Sequence, residues 1–594
     1  MKTRHLFLTS LILLIVSTGM IGQYTPWMYW TLLPDEIMVE IMGETSGETA
    51  WKTIMETGGY NKDRLADEYE TTFYESSYIY EQLKKYGLPG ADIVRFPGGT
   101  VWDGIEGELW EVTPNRQKLA SYLDNSAMLV NGSRNADVTA DLVWVGLGRK
   151  KDLDGLDVKG KIVVTEGGVS QAYAAACTGA GALGVIAISQ SRPAFDPLQI
   201  PWSGIRSRRS SETVSGFAFY LPFREGLFLK QRLLRGEKIT VEARVRAEER
   251  PYTLQCPVCF IPGTDPEAEE IIFSAHLFEG YVKQGANDNK SGSAAILEIA
   301  RTLHRLIESG RIPRPRRTIR FLWGPEFSGT GPWVKANKDL MEKTLCNINL
   351  DMVGEWLSLN QAHFCLMRTT YGNPHYINDI MENYYRFVGE GNRERIQGRS
   401  SGSPYRFPRR IVAPFGADEP FIYSIETHYG ASDHEVFNDW GVQVPGVMMI
   451  AWPDQWYHTS GDRVNKSDPT QLKRVAVIGA AAAYTIASAD EDDAVRLASE
   501  IVSNGTRRLG HQLMRGLQAL NETDAAGLGK AYRQAWVYLV TAVRNEKNTL
   551  DSLHELAPTG TALASHVKLM KQAVDEMGRT HLKTIEAHMR SLAA

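Results

Sequence analysis

The pattern of apolar and polar positions changes character several times along the chain. A basic start, Lys2 and Arg4, leads into the apolar run 6–16 and then small residues up to Gln23. That is the pattern of a secretory signal peptide, assigned to residues 1–22, and the run is short for a bilayer span. Residues 23–126 are mixed and rich in aromatics. Within them ESSYIYEQLKKY (75–86) places Tyr78, Ile79, Leu83 and Tyr86 on one face of a helix that Gly87 should end. In 127–250, LVWVGL, GKIVVTEGG, AYAAACTGAGA and LGVIAIS read as strand, strand, helix, strand. Residues 251–490 alternate buried strands with helices, which predicts an α/β sheet. Beyond about residue 491 strand signals fade, Pro558 is the only proline after Pro469, and 494–520 and 531–553 keep a helical period. The tail, 491–594, is therefore expected to be a helical bundle.

Composition narrows the class. The chain has 594 residues, 43% hydrophobic and 23% charged, enough for a large core and several domains. Lys+Arg is 65 and Asp+Glu 70, a formal charge of −5, so nothing global drives it toward nucleic acid or anionic lipid. After the leader no run of about 18 uncharged apolar residues follows, and no stable membrane insertion is expected. Five cysteines cannot all pair within one chain. Cys256 and Cys259 form C-x-x-C without a second pair at zinc-ribbon spacing, which reads as a structural disulfide or buried thiols. The basic segment 311–320 (RIPRPRRTIR) reads as a solvated loop entering a strand rather than a binding patch.

Candidate chemistry sits at strand ends in the third stretch. IIFSAH ends at His276, TIRFLW runs into Glu326, TLCNINLD ends at Asp351, and VPGVMMIAW runs into a loop with Tyr457 and His458. In open α/β sheets the carboxyl edge of the strands is where ligands bind. GANDNKSG (285–292) puts Asp288 twelve residues after His276 (288 − 276 = 12), and Lys290 and Ser291 open a helix with Ile296, Ile299, Leu303 and Leu306 on its apolar face. Alone, Asn287, Asp288 and Asn289 would suit a turn or a helix cap. Together with His276, Asp351 and His458, Asp288 makes a ligand set of imidazoles and carboxylates, the donors zinc prefers. Two ions about 3.5–4 Å apart can share a carboxylate and polarise a carbonyl, and a further carboxylate can move the proton.

SAHLF, GANDNKSG, NINLDMVG, SDHEVF and YHTSGD resemble, in order and spacing, the signatures of the co-catalytic di-zinc aminopeptidases of metallopeptidase family twenty-eight. The resemblance spans roughly 50–126 and 251–490, and 127–250 resembles an inserted protease-associated (PA) domain. It implies an α/β, mixed-sheet zinc exopeptidase domain, interrupted by a β-rich α/β PA domain and followed by the helical C-terminal domain. It implies one or two zinc ions: His276 and Asp351 on one, Asp288 bridging, His458 on the other. Asp433, His434 and Tyr457 fall on the substrate side, though Asp433 also suits a helix cap and His434 a packed ring. Two positions depart from the family pattern. Phe278 stands where an Asp usually orients the first histidine, so another group must do so, with Glu279 a candidate. FLWGPEFSGT holds a single Glu326. Alignment on Trp323–Gly324 makes it the general base and leaves Phe327 where a ligand belongs, whereas alignment on Glu326–Phe327 makes it the ligand. The base reading is preferred because a hydrolase needs a proton acceptor. The resemblance thus implies a secreted or periplasmic exopeptidase, an aminopeptidase acting on peptides, with a tail suited to homodimer formation. Its rivals are a non-catalytic receptor-like protein, favoured by Phe278 and Pro325, and a glutaminyl-cyclase-like transferase, against which the PA-like insertion argues.

Overall fold

The apolar runs of the third stretch become the central strands of one mixed sheet. The computed structural model describes residues 31–58, 64–189, 192, 194–205, 216–278, 285–401 and 411–593. The signal-peptide reading of 1–22 and the candidate Glu279 lie outside them. The strands are β1 (Asp92–Thr113), β2 (Gln117–Ser121), β3 (Ala136–Trp144), β4 (Ile162–Thr165), β5 (Gly184–Ala187), β6 (Phe217–Tyr220), β7 (Thr240–Ile261), β8 (Glu270–Phe278), β9 (Thr318–Pro325), β10 (Thr344–Leu350), β11 (His363–Met367), β12 (Tyr423–Glu426) and β13 (Gly446–Trp452). Their order is β12-β11-β13-β10-β8-β9-β7-β3-β4-β5-β6, with β1 paired to β2 and β7. The strands β8, β9, β10 and β13 are mutually parallel, so their carboxyl ends share one edge.

Both faces of this central part are covered, as parallel strands require. Along β8, Ile271, Phe273, Ala275 and Leu277 point into the larger core, and Ile272 joins Leu322, Trp333 and Phe437 on the other face. Phe273 and Phe321 stack with centroids 5.2 Å apart. Helix α1 (Tyr74–Tyr86) ends as its sequence predicts, with Gly87 in the left-handed region at φ 74°. Helix α2 (Gly292–Glu308) buries Ile296, Ile299, Leu303 and Leu306 completely. Helix α3 (Pro469–Ser488) is buried along nearly its whole length and has little polar surface to offer water, as a helix at the centre of a core must. Asp468 caps it, accepting from the N–H groups of Thr470 and Gln471, with Pro469 at the first turn.

The strands β1 and β7 pair antiparallel from Asp92–Val258 to Thr113–Thr240 and carry the sheet outward without a break, β7 running straight through residue 250. There β3 joins β7 through Ala136–Asp141 and then continues parallel to β4, β5 and β6. Two separate apolar clusters pack in this outer sheet. Its helix begins earlier than AYAAACTGAGA suggests, with an α-helical turn over Val169–Tyr173 that continues directly into a wider helical turn over Ala174–Thr178.

The tail forms three long helices, α4 (Glu491–Asn521), α5 (Leu528–Ser552) and α6 (Thr561–Ala593). Their attachment corrects one sequence expectation. The segment 311–320 is not simply solvated: Arg311 pairs with Glu40 and Glu44, Arg314 with Glu308, Arg316 with Asp265 and Arg320 with Glu270. Arg317 is fully buried and donates to the carbonyls of Ile486 (3.2 Å), Ala489 (2.8 Å) and Leu556 (2.9 Å), tying the sheet to the tail. All five cysteines are separate buried thiols, and burial pushes Cys256 up to about 12, so the C-x-x-C pair offers no reactive thiolate. Among the described residues no helix is long and apolar enough to cross a membrane.

Candidate metal centre

The shared strand edge brings the predicted donors together. His276 lies near the end of β8, Glu326 and Asp351 directly follow β9 and β10, and His458 follows β13 by six residues. His276 Nε2 is 3.4 Å from Asp288 Oδ1 and 3.3 Å from Asp351 Oδ1. His458 Nε2 is 3.2 Å from Asp288 Oδ2. The two oxygens of Asp288 thus face two different imidazoles, the arrangement a bridging carboxylate needs. Ligand atoms of His276, Glu326 and Asp351 also lie within 4.8 Å of one another, which puts Glu326 on the His276 side of the centre.

The donor set fits a divalent cation. Asp351 Oδ1 is buried without a well-formed hydrogen bond, a costly state for a carboxylate oxygen unless a cation meets it. Burial opposes a charge on His276, yet the carboxylates of Asp351, Glu326 and Asp288 outweigh it and hold its pKa well above the usual range. Three acids are therefore arranged around one imidazole, and positive charge is what the site lacks. Three residues of positive φ flank the centre: Phe327 (51°), Met352 (55°) and His458 itself (55°). Each costs on the order of 1–3 kcal/mol for a residue with a Cβ, a cost met at sites whose geometry the surroundings impose.

The group that orients His276 in place of the missing Asp is a backbone carbonyl. His276 Nδ1 meets Phe278 O at 3.2 Å, leaving Nε2 for the centre. The segment 287–293 does most of the remaining positioning. Asn289 donates to Leu350 O (2.8 Å) while its Oδ1 accepts from Met352 N–H (3.0 Å) and Gly292 N–H (2.8 Å), bracing Asp351 from both sides and capping α2. Lys290 Nζ donates to Leu277 O at 2.6 Å and stands 3.6 Å from the buried Glu75, which Arg64 also holds. Ser293 Oγ donates to His276 O at 3.0 Å. The turn and cap reading of these residues and the metal reading therefore describe the same loop.

Several supporting residues were not singled out from the sequence. Asp462, the last residue of YHTSGD, accepts from the N–H groups of Asn287 (2.6 Å) and Asp288 (3.0 Å) and so clamps the carboxylate between the two histidines. Asp454 accepts from Asn287 Nδ2 at 3.2 Å. Both stand on the loop that carries His458, and the motif itself held the signal for Asp462. Burial, together with Asp454 and Asp462, keeps the pKa of Glu355 well above the ordinary range.

The three residues expected near substrate are placed differently from one another. Asp433 is buried, makes no side-chain cap on the helix His434–Asn438, and accepts the Phe327 N–H at 2.8 Å, holding the turn after Glu326. Burial raises its pKa to about 6 against the pull of His276. His434 is completely buried on Tyr429 O at 2.8 Å, and burial lowers it to about 4, so it is a packed neutral ring. The Tyr457 ring stacks on His458, with centroids 3.7 Å apart and planes at 22°. Phe327 is 38% exposed, at the position where one alignment expects a ligand.

Known proteins resemble this chain over the same region. Residues 258–483 match the model of peptidase family M28. Aminopeptidase YwaD of Bacillus subtilis is 25% identical over 365 residues, 58% of this chain and 67% of that protein. Leupeptin-inactivating enzyme 1 of Streptomyces exfoliatus is 27% identical over 234 residues, 38% of this chain and 47% of that protein. The chain therefore spans about two thirds of the one and about half of the other. Among solved structures, a peptidase M28 precursor from Shewanella amazonensis SB2B superposes with a TM-score of 0.50 at 15% identity, covering 76% of this chain and 96% of that one. This likeness speaks to the fold. These matches identify the metal-donor region as a peptidase family M28 domain and the chain as a metallopeptidase.

Proposed function

We propose, from a peptidase family M28 domain in which one Asp288 carboxylate faces two histidines, that this chain is an exported zinc aminopeptidase that removes N-terminal residues from peptides. The observation that carries the reading is the division of Asp288, Oδ1 toward His276 and Oδ2 toward His458. In this reading His276, Asp351 and Asp288 would hold one ion, and Asp288 with His458 would hold a second. Zinc, when bound, polarises the scissile carbonyl and lowers the pKa of a water.

The chain's own residues supply the rest. Glu326 takes the proton from the attacking water and returns it to the leaving amine. Asp433 fixes the turn behind Glu326 through the Phe327 N–H. Asn289, Lys290 and Asp462 keep the ligands from drifting apart, since small displacements of such groups are costly in rate. An acid-rich centre suits a substrate's free ammonium better than a free carboxylate, which, with the aminopeptidase among its relatives, supports the amino-terminal choice. The segment 127–250 is read as the PA-type insertion, and the apolar run 6–16 supports export.

The test is release of free amino acids from a peptide panel, each peptide offered with a free, an acetylated and a C-terminally amidated end. The reading expects release to stop on acetylation and to survive amidation. The opposite pattern would make the enzyme a carboxypeptidase, and no release from any peptide would favour a binding protein. N-terminal mass spectrometry of protein recovered outside the cell should find a start near residue 23; an intact Met1 retained inside would end the export reading.

A further inference from the structure

The two imidazoles of the centre are held in unlike ways. His276 is buried to 1% exposure, so its packing fixes it, whereas the His458 side chain is 34% exposed and sits on a loop at positive φ. What holds that loop comes from far away in the sequence. Pro201 and Thr459 form an antiparallel bridge. Trp202 N–H donates to His458 O and Ser460 N–H to Ile200 O, both at 2.8 Å, and Ile200 N–H donates to Ser460 Oγ at 2.9 Å. The Trp202 ring meets the His458 ring edge to face, with centroids 5.9 Å apart and planes at 89°. Further along, Phe195 packs on Trp456 at 5.1 Å, and Arg192 donates to Gln455 O at 3.3 Å.

We propose that Arg192 and residues 194–204 of the inserted segment are a positioning strap for the second ion, with Trp202 the residue that sets the His458 ring. The backbone bridge fixes the height of the loop, and Trp202 and Tyr457 together fix the plane of the imidazole, so that Nε2 faces Asp288 Oδ2. The insertion is then a working part of the metal centre: detached from the loop, it would leave His458 one of the more mobile ligands. Positioning groups of this kind are worth about 10–100-fold in metal affinity.

This inference rests on the two-ion reading above, and the experiment separates the two. Zinc affinity is measured at each site by chelator competition on the full chain, with the cobalt absorption spectrum as a second readout, for wild type, Trp202→Ala, Trp202→Phe and Phe195→Ala. The strap predicts that Trp202→Ala weakens the second site about 10–100-fold, alters the cobalt spectrum and leaves the first site unchanged. Trp202→Phe should restore most of the affinity, and Phe195→Ala, at the far end of the strap, should weaken the second site less. Unchanged affinity at both sites in Trp202→Ala would overturn the strap alone. Parallel weakening of both sites without rescue by phenylalanine would reduce Trp202 to a general structural role and overturn it too. A wild-type chain that binds no second ion would overturn the two-ion reading, and the strap with it.

Discussion

Replacing Glu326 by glutamine tests the division of labour at the centre. The change keeps the side chain's size and shape and removes only its capacity to accept a proton. Donor atoms of Glu326, His276 and Asp351 lie within 4.8 Å of one another. Glu326 therefore stands beside the two residues that would hold an ion, close enough to accept a proton from a water such an ion would activate. Loss of a general base at such a place lowers turnover about 10²–10⁴-fold, equivalent to about 2.7–5.4 kcal/mol in the barrier. KM should change little, because the substrate's anchoring groups are untouched. The assay is steady-state release of an N-terminal residue from a chromogenic peptide, with zinc content measured on the same samples. Turnover within a few-fold of wild type would refute the base assignment. Turnover lost together with bound zinc would make Glu326 a ligand and favour the other alignment of FLWGPEFSGT.

The remaining predictions concern the frame. Lys290→Met removes a charge-assisted hydrogen bond to Leu277 O and the cation 5.4 Å from the Phe278 ring; a loss of about 3 kcal/mol is expected in urea unfolding, and an unchanged midpoint would contradict it. Arg317→Met strands three buried carbonyls between the sheet and the tail and should cost about 3–5 kcal/mol, with limited proteolysis releasing the tail helices; a chain equally resistant to protease would refute that. His434 is neutral in the fold, with its pKa lowered by burial from 6.5 to about 4, so it stabilises the protein fully above its unfolded pKa and loses that contribution as pH falls from about 6.5 to about 4. The full effect is about 3 kcal/mol. Urea unfolding of the metal-free protein near pH 7.5 and near pH 5 should show a loss that His434→Gln largely removes; equal losses in both proteins would contradict the assignment.

What the sequence made legible follows from local physics. Buried strands of parallel sheets are short apolar runs, and the residue where each run stops is visible, which is why His276, Glu326 and Asp351 could be placed on one edge. Helix α1 was legible because its apolar face and Gly87 agree. The 22-residue strands β1 and β7 were not singled out: β1 is interrupted by Pro97 and several glycines and β7 is heavily charged in its first half, and their pairing over such a span is a long-range fact. The group orienting His276 was not legible, because it is a main-chain carbonyl that any residue at 278 would supply. Arg317 looked like one more surface arginine because nothing local marks a guanidinium that will meet the ends of distant helices. Trp202 is 256 residues from His458 (458 − 202 = 256), and only the fold brings them together.

The central claim is that His276, Asp288, Asp351 and His458 form one divalent-cation centre. Diffraction from crystals equilibrated with zinc, recorded on either side of the zinc absorption edge, tests it most directly. The account predicts an anomalous peak about 2.0–2.2 Å from His276 Nε2, Asp351 and Asp288 Oδ1, with a second between Asp288 Oδ2 and His458 Nε2. Zinc bound elsewhere, or no anomalous peak among these four residues in a folded protein, would contradict it.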